Sequence, residues 1–340
     1  MIRESLLFFA LLTATPAARG AEGQVDRFLT PPSGQGATAV EVRFDLHDIN
    51  EINDEEETFG FNGVLRLTWK DPRQAFDTEA AGVREKIYQG AAQIGMASPA
   101  WYPQVFLSNE SGGYETNAVS LRISPDGTSV LTSSIHANAE TDLSMRKFPF
   151  DSQALRAHFL TPGMSNNEVV FVAGGTGHAP LLNVSQWQLE GVNISTQGGS
   201  APGFSVDLLV NRDPVFTLRL VGLPLVLIVM LSWSVFWMER SSLGDRISVS
   251  FVGILTAVAY QIVVGDLLPH VSYITVMHGF LNFSLFIMCA SVVVNLVVGA
   301  CDKNGRSGLG DIIDRRCRWI FPLVYAGLLL FLFAFAHFIF

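Results

Sequence analysis

Hydrophobic and polar side chains alternate along short runs through most of the chain before residue 212. Eight runs place apolar residues at every second position, the period of a strand that is buried on one face. These runs are Val42–Leu46, Val64–Trp69, Ala118–Ile123, Ser129–Ile135, Leu155–Phe159, Val169–Val172, Trp187–Ile194 and Phe204–Val210. Pro125-Asp126-Gly127 predicts a hairpin turn between two of them, and residues 82–93 predict one short helix. The pattern predicts an antiparallel, immunoglobulin-like β-sandwich.

Four long apolar segments replace this alternation after residue 213. They cover residues 214–238, 247–268, 272–298 and 319–340, and each has about the 20 residues that a helix needs to cross the hydrocarbon layer. The sequence therefore predicts two domains. The sandwich occupies residues 21–212, and a four-helix transmembrane bundle occupies residues 213–340.

Basic residues lie in the first and third connections between these segments. Arg240 and Arg246 flank the first connection, five further bases fill the third, and residues 265–272 contain no lysine or arginine. By the positive-inside rule both basic connections are cytoplasmic. We therefore expect a multi-pass protein of the inner (plasma) membrane, with the sandwich and the C-terminus on the periplasmic or extracellular side.

The N-terminal residues 1–20 have the features of a secretory signal peptide. An apolar stretch runs from Leu6 to Leu12, and Ala18-Arg19-Gly20 offers small residues around a cleavage site. The stretch is too short to span a bilayer. The sequence predicts a signal peptide that exports the sandwich, in agreement with the charge of the loops.

Composition narrows the classes of function. Of 340 residues, 49% are hydrophobic and only 16% are charged, with a mean hydropathy of +0.33, which favours a membrane protein. The first 212 residues carry a net charge of −10, which repels nucleic acid and enriches cations. This part contains no cysteine, and the histidines show no metal-ligand spacing. No nucleophile and base are placed together, so we predict neither an enzyme nor a cofactor.

The second apolar segment carries a stripe of side chains that suggests an aqueous path. On a helical wheel its members fall within an arc of about 80°. They are Ser248, Val252, Leu255, Ala259, Ile262 and Asp266, and Asp245 lies one turn further inward. Charges in a transmembrane region are costly unless they meet water or a partner, so acids at both ends suggest a pore. The equally compatible alternative is that both acids only mark helix ends at the interface.

Ordered motifs across both domains resemble one family. The motifs are Trp69-Lys70-Asp71, Trp101-x-Pro103 with Asn109, Phe148-Pro149-Phe150-Asp151-x-Gln153, Arg212-x-Pro214-x-Phe216, Pro224, Gly244-Asp245-Arg246, Leu255–Tyr260 and Leu268-Pro269. Together they resemble the pentameric ligand-gated ion channels, the Cys-loop receptor superfamily. The two eponymous cysteines would lie near Thr141 and Leu155, so the chain resembles the prokaryotic branch that lacks this disulfide. The resemblance implies a homopentamer in the bilayer that conducts monovalent cations when a small-molecule agonist binds.

The resemblance also implies a ligand site between subunits. Its expected positions are Val64, Arg66 and Ser108, with Phe159 and Phe204 nearby. The aromatic cage of amine receptors is largely missing, which argues against an acetylcholine-like ligand. Arg66 falls where receptors for carboxylate-bearing transmitters place an arginine. A solvated strand charge is an equally good interpretation of Arg66.

A coupling cluster between the domains is implied in the same way. Arg212 is expected to pair with Asp151 and with Asp54, and the loop around Pro269 is expected to rest on this cluster. Phe148, Pro149 and Phe150 are expected to take part in the same coupling. Such a partly buried ion cluster is costly to break. The cluster would transmit movements of the sandwich to the pore helix.

The leading hypothesis is therefore a cation-selective channel opened by an extracellular small molecule or by pH. Ser248 would form the cytoplasmic constriction, the apolar stripe the gate, and Asp245 the selectivity ring. Two alternatives stay open at this point. One is a membrane-tethered binding sandwich that recruits a partner without conduction. The other is a transporter subunit, for which Pro224 is the only candidate for a broken helix.

Overall fold

A computed structural model gives the architecture of the chain. It describes residues 30–32, 36–90, 93–94, 101–178, 183–184, 186–199, 201–239 and 243–338. The predicted signal peptide, residues 1–20, lies outside the described residues. Within them, a two-sheet β-domain is followed directly by four long helices.

Two sheets face each other in the β-domain. The strands are β1 (Thr38–Asn53), β2 (Thr58–Lys70), β3 (Lys86–Gln89), β4 (Phe106–Leu107), β5 (Glu110–Ile123), β6 (Thr128–Glu140), β7 (Ser152–Leu160), β8 (Val169–His178), β9 (Asn183–Val184), β10 (Trp187–Gly198) and β11 (Pro202–Arg212). The first sheet has the order β3-β5-β6-β2-β1-β8, and the second has the order β4-β7-β11-β10-β9. This architecture confirms the predicted sandwich.

All eight predicted strands lie within observed strands, and β5 and β6 form the predicted hairpin. Two details of the prediction are wrong. The sheet is not purely antiparallel, because β1 pairs with β8 in parallel. Residues 82–93 do not form one continuous helix, because Gly82 (φ 67°) ends a one-turn helix at Thr78–Ala81 and the chain then pairs as β3. Within this range, helical backbone is described again only at Gly90 and Gln93.

The core follows from the alternation in β1 and β2. Val40, Val42 and Phe44 of β1 are fully buried, while the residues between them are exposed or half-buried. The Phe44 ring lies directly over Gly63 of β2, where a Cβ atom would clash with it. A glycine at this position lets the ring pack against the neighbouring backbone. The two sheets thus enclose one apolar layer.

The four helices are α1 (Val215–Trp237), α2 (Leu243–Gly265), α3 (Val276–Lys303) and α4 (Ser307–Phe338). By length and hydropathy, α1, α2 and α3 are able to cross a membrane. The described part of the fourth apolar segment, residues 319–338, lies within α4, which begins at Ser307, well before residue 319. The basic third connection is therefore mostly helical, and only residues 304–306 link α3 to α4.

Pro224 marks an irregular turn of α1. Residues Leu218–Gly222 form a π-helical segment just before it. Proline has no N–H to donate to the carbonyl four residues earlier, which belongs to Leu220. The Tyr260 hydroxyl of α2 donates to the Leu220 carbonyl at 2.8 Å and lies 3.1 Å from that of Val221. The irregular turn is therefore satisfied by a side chain of the neighbouring helix.

Candidate functional site

Arg212 joins the sandwich to the helices at the end of β11. Its Nε lies 2.9 Å from Asp151 Oδ1, and its Nη2 lies 2.8 Å from Asp54 Oδ2. The side chains of Arg212 and Asp151 are 3% and 2% exposed. Both expected ion pairs are thus present, and the pair with Asp151 is almost completely removed from water.

Aromatic rings enclose the same guanidinium. Its central carbon lies 4.1 Å from the ring centre of Trp187 and 4.9 Å from that of Phe148. A cation between ring faces gains further electrostatic stabilisation, more so when it is desolvated. Arg212 therefore holds β10, β11, the acidic turn at residues 54–57 and the loop containing Phe148 in one arrangement.

The loop that contains Phe148 contacts the helices directly. The N–H of Met277 at the start of α3 donates to the Phe148 carbonyl at 3.2 Å. The N–H of Met145 donates to the Tyr273 hydroxyl at 2.8 Å, in the connection before α3. Pro149 and Phe150 line an apolar hollow of about 240 Å³ against α1, α3 and α4. The loop thus contacts both the start of α3 and the connection before it.

A polar crevice of about 540 Å³ separates the acidic turn from the outer end of α2. Asp54 and Glu55 line one side, and Asp266, Pro269 and His270 line the other. His270 Nδ1 lies 3.9 Å from a Glu55 carboxylate oxygen, and both side chains are exposed. Pro269 itself is buried at this junction. The connection between α2 and α3 therefore faces the Arg212 cluster across this crevice.

The predicted stripe on α2 is uncovered by its own subunit. Val252, Leu255 and Ile262 are 63%, 70% and 74% exposed. Its remaining members are also exposed or half-buried: Asp245, Ser248, Ala259 and Asp266. Apolar side chains this exposed on one helix edge need water in a pore, lipid or another subunit beside them.

The opposite edge of α2 packs inside the bundle. Its buried residues are Arg246, Ser250, Ala257 and Val264. At about 100° per residue they lie roughly opposite the stripe. Gly253 allows close approach, because a Cβ there would lie 3.3 Å from the Ser232 Cβ of α1 and 3.4 Å from the Met288 Cε of α3. The stripe is thus the edge of α2 turned away from the rest of its subunit.

Arg246 and Asp245 are neighbours with opposite surroundings. Asp245 is exposed, whereas Arg246 is 1% exposed and points into the bundle. The Arg246 Nε donates to the Val235 carbonyl at 3.0 Å, and its Nη2 donates to Asp314 Oδ1 at 2.6 Å. The carboxylate is therefore the charge that this helix end presents on its open side.

The structure corrects two of the expected ligand positions. Phe159 and Phe204 are 0% and 2% exposed, and their rings stack with centroids 5.0 Å apart inside the sandwich. Alternation places both rings between the sheets, so they are core residues and line no surface site.

The remaining ligand positions lie on different sheets. Val64 and Arg66 are half-buried on β2, and Ser108 is exposed next to β4, where its N–H donates to the His158 carbonyl at 2.7 Å. Within one chain they do not form a single pocket. A site that uses all three requires faces of two neighbouring subunits.

Two stretches of the chain match the two halves of one family. Residues 23–197 match the neurotransmitter-gated ion-channel ligand binding domain, and residues 221–308 match the neurotransmitter-gated ion-channel transmembrane region. The chain belongs to this family. It is a multi-pass subunit of a pentameric ligand-gated ion channel with an extracellular sandwich, and it is not an enzyme.

Relatives of the channel cover both domains. It is 25% identical over 305 residues to a proton-gated ion channel from Gloeobacter violaceus, with 87% of this chain and 82% of the relative covered. It is 22% identical over 290 residues to a glutamate-gated chloride channel from Drosophila melanogaster, with coverage of 81% and 62%. It is 24% identical over 343 residues to the human gamma-aminobutyric acid receptor subunit rho-2, with coverage of 95% and 71%. The family match and the prokaryotic relative confirm the resemblance stated from the motifs.

Asp54 gives the coupling cluster of the channel a dependence on pH. Burial raises the pKa of Asp54 above its usual 3.8, and the charge of Asp151 adds to the rise, against the opposing attraction of Arg212. Between 3.8 and the raised pKa, the folded state holds more protons than the unfolded chain. The contribution of Asp54 to the free energy of unfolding therefore falls as pH rises through this window.

We expect Asp54→Asn to remove this slope. Unfolding followed by intrinsic fluorescence in detergent, at a series of pH values above 3.8, measures it for both proteins. The wild-type channel should lose stability relative to Asp54→Asn as the pH rises. Equal pH dependence of the two proteins would show that Asp54 titrates in the channel as it does in water.

The sequence did not predict several residues that lie at the junction of the two domains and at the inner ends of the helices. Met145 and Tyr273 connect the Phe148 loop to the helices. Asp314 connects α4 to the inner end of α2, and Arg318 connects α4 to the end of α1. The sequence offered one signal for Asp314, because it is an acid within the strongly basic third connection. A base that becomes buried, such as Arg246, needs an acidic partner of this kind. The tyrosine gave no comparable signal.

Proposed function

We propose that five copies of this chain form a cation-selective channel in the inner membrane, with both the sandwich and the C-terminus outside. The α2 stripe lines the pore, with Ser248 at the cytoplasmic constriction and Leu255 among the residues that close it. An extracellular small molecule or a change of pH opens it. The movement reaches α2 through Arg212 and the loops that it holds.

The observation that carries cation selectivity is the different placement of Asp245 and Arg246. The exposed carboxylate of Asp245 would form a ring of five negative charges at the inner mouth, and rings of acids attract cations. The neighbouring Arg246 is buried and paired. Since one relative is named a chloride channel, the ion preference of this channel rests on its own residues and not on the family.

The chemistry of the relatives' ligands supports a carboxylate-bearing agonist. Relatives are named for protons, for glutamate and for gamma-aminobutyric acid, and the last two ligands carry a carboxylate. Arg66 would bind such a carboxylate in a bidentate manner. Recording reconstituted channels against a panel of amines, amino acids and pH steps tests this. Activation by an amino acid that Arg66→Gln abolishes would support the site, and activation by an amine alone would contradict it.

Asp245→Ala is expected to lower the cation-to-anion permeability ratio by at least about ten-fold, which corresponds to about 1.4 kcal/mol of lost electrostatic preference. The measurement is the reversal potential of reconstituted channels in unequal NaCl solutions. Asp311→Asn is the matched control, because it removes an exposed acid from α4, outside the stripe. A wild-type reversal potential that follows chloride would contradict the proposed selectivity.

A further inference from the structure

Opposite charges lie on opposite edges of α2 at its inner end. Asp245 is exposed on the open edge, and Arg246, the next residue, is 1% exposed inside the bundle. Arginine keeps its proton at any accessible pH. An uncompensated guanidinium here would place a ring of five positive charges behind the ring of acids. Inside protein its field is screened less than in water and would repel the ions that Asp245 attracts.

Asp314 supplies the compensating charge. Its Oδ1 lies 2.6 Å from Arg246 Nη2, and the two side chains are 7% and 1% exposed. This is the short distance of a charge-assisted hydrogen bond, which holds the charges together as a near-neutral pair. The second donor of Arg246, Nε, is occupied by the Val235 carbonyl at 3.0 Å.

A second arginine anchors the same part of α4 to α1. Arg318, one turn further along α4, donates to the Phe236 carbonyl at 2.8 Å, and its guanidinium lies 5.4 Å from the ring centre of Trp237. The cytoplasmic turns of α4 are thereby held against the end of α1. Among the described residues, Asp314 pairs with Arg246 and forms no hydrogen bond or ion pair with the stripe.

We propose that Asp314 determines ion selectivity from outside the pore. It neutralises Arg246, so that Asp245 alone sets the sign of the field at the cytoplasmic mouth. Asp314 acts through Arg246 and is a positioning residue in this sense. The inference rests on the proposed cation selectivity and adds a determinant on α4, a helix that does not line the pore.

Reversal potentials of the full-length channel, reconstituted in planar bilayers under an NaCl gradient, test the inference. Asp314→Asn keeps the shape of the side chain and removes its charge in all five subunits. It should lower the cation-to-anion permeability ratio by at least about two-fold, since even one of the five uncompensated charges, roughly 10 Å from the ions in water, has an effect of this size. The double variant Asp314→Asn with Arg246→Gln removes both charges and should restore the wild-type ratio. Asp311→Asn on the same helix is the control and should leave the ratio unchanged.

The outcomes separate the inference from the proposed function. If Asp245→Ala lowers the ratio and Asp314→Asn leaves it at the wild-type value, the role of Asp314 is wrong and the proposed function stands. If the wild-type channel prefers chloride, both are wrong. If Asp314→Asn does not assemble into pentamers, the double variant decides. A wild-type ratio in that variant supports the role of Asp314, and a ratio as low as that of Asp245→Ala overturns it, because no positive charge would remain at position 246.

Discussion

Arg212→Ala is expected to abolish gating or assembly of the channel. The substitution leaves Asp151, whose side chain is 2% exposed, as a buried charge without its cation. Breaking a buried ion pair from one side costs about 3–5 kcal/mol, and the ring contacts with Trp187 and Phe148 are lost as well. Size-exclusion chromatography of the purified protein measures the assembly of pentamers. Stimulus-evoked currents measure gating, so the two outcomes are reported separately.

Arg156→Ala is the matched control for this experiment. Arg156 lies in the same sheet and forms an ion pair with Asp207 at 3.5 Å, but its side chain is 57% exposed. An exposed pair contributes about 0–1 kcal/mol, so assembly and currents should stay close to the wild-type level. Normal currents in Arg212→Ala would refute the coupling role of the cluster. Equal losses in both variants would show that the sheet, and not the junction, is sensitive to charge.

Leu255→Ser is expected to produce channels that conduct without a stimulus. Leu255 is 70% exposed at the middle of the stripe, where five leucines would close the path by excluding water. Exchanging each isobutyl group for a hydroxymethyl group removes apolar surface worth about 0.8 kcal/mol per CH₂ group. A ten-fold rise in resting open probability needs only about 1.4 kcal/mol. Single-channel recordings before any stimulus measure this probability.

Leu227→Ser on α1 controls for a general effect of polarity in the membrane. Leu227 is 52% exposed in the single subunit but lies outside the stripe. Its resting open probability should equal that of the wild type. A closed Leu255→Ser channel, or an equal leak in both variants, would mean that Leu255 does not lie at the gate.

Local patterns predicted the features that depend on neighbouring residues. Alternation along β1 and β2 predicted the sandwich core because a strand buried on one face repeats every two residues. The same period cannot distinguish parallel from antiparallel pairing, so the parallel contact of β1 with β8 was not predicted. Phe159 and Phe204 were placed near the ligand site by the resemblance, which does not specify the direction of each side chain, and both lie in the core.

Contacts between distant positions were predicted only where a motif carried them. The pairs of Arg212 with Asp54 and Asp151 were expected from the resemblance, and both are present. Asp314 lies 68 residues from Arg246, in a connection interpreted as a loop, and no motif joined the two. The hydrogen bonds of Tyr260 to α1 follow from the missing N–H of Pro224, but the sequence does not specify which neighbouring side chain replaces it.

The remaining proposals depend on one premise, that the α2 helices of five subunits meet around one axis. Electron cryomicroscopy of the full chain in lipid nanodiscs tests it most directly. We expect a particle with five-fold symmetry in which Asp245, Leu255 and Asp266 face a central, water-accessible path. A particle of another symmetry, or a map in which this edge of α2 faces lipid, would contradict it.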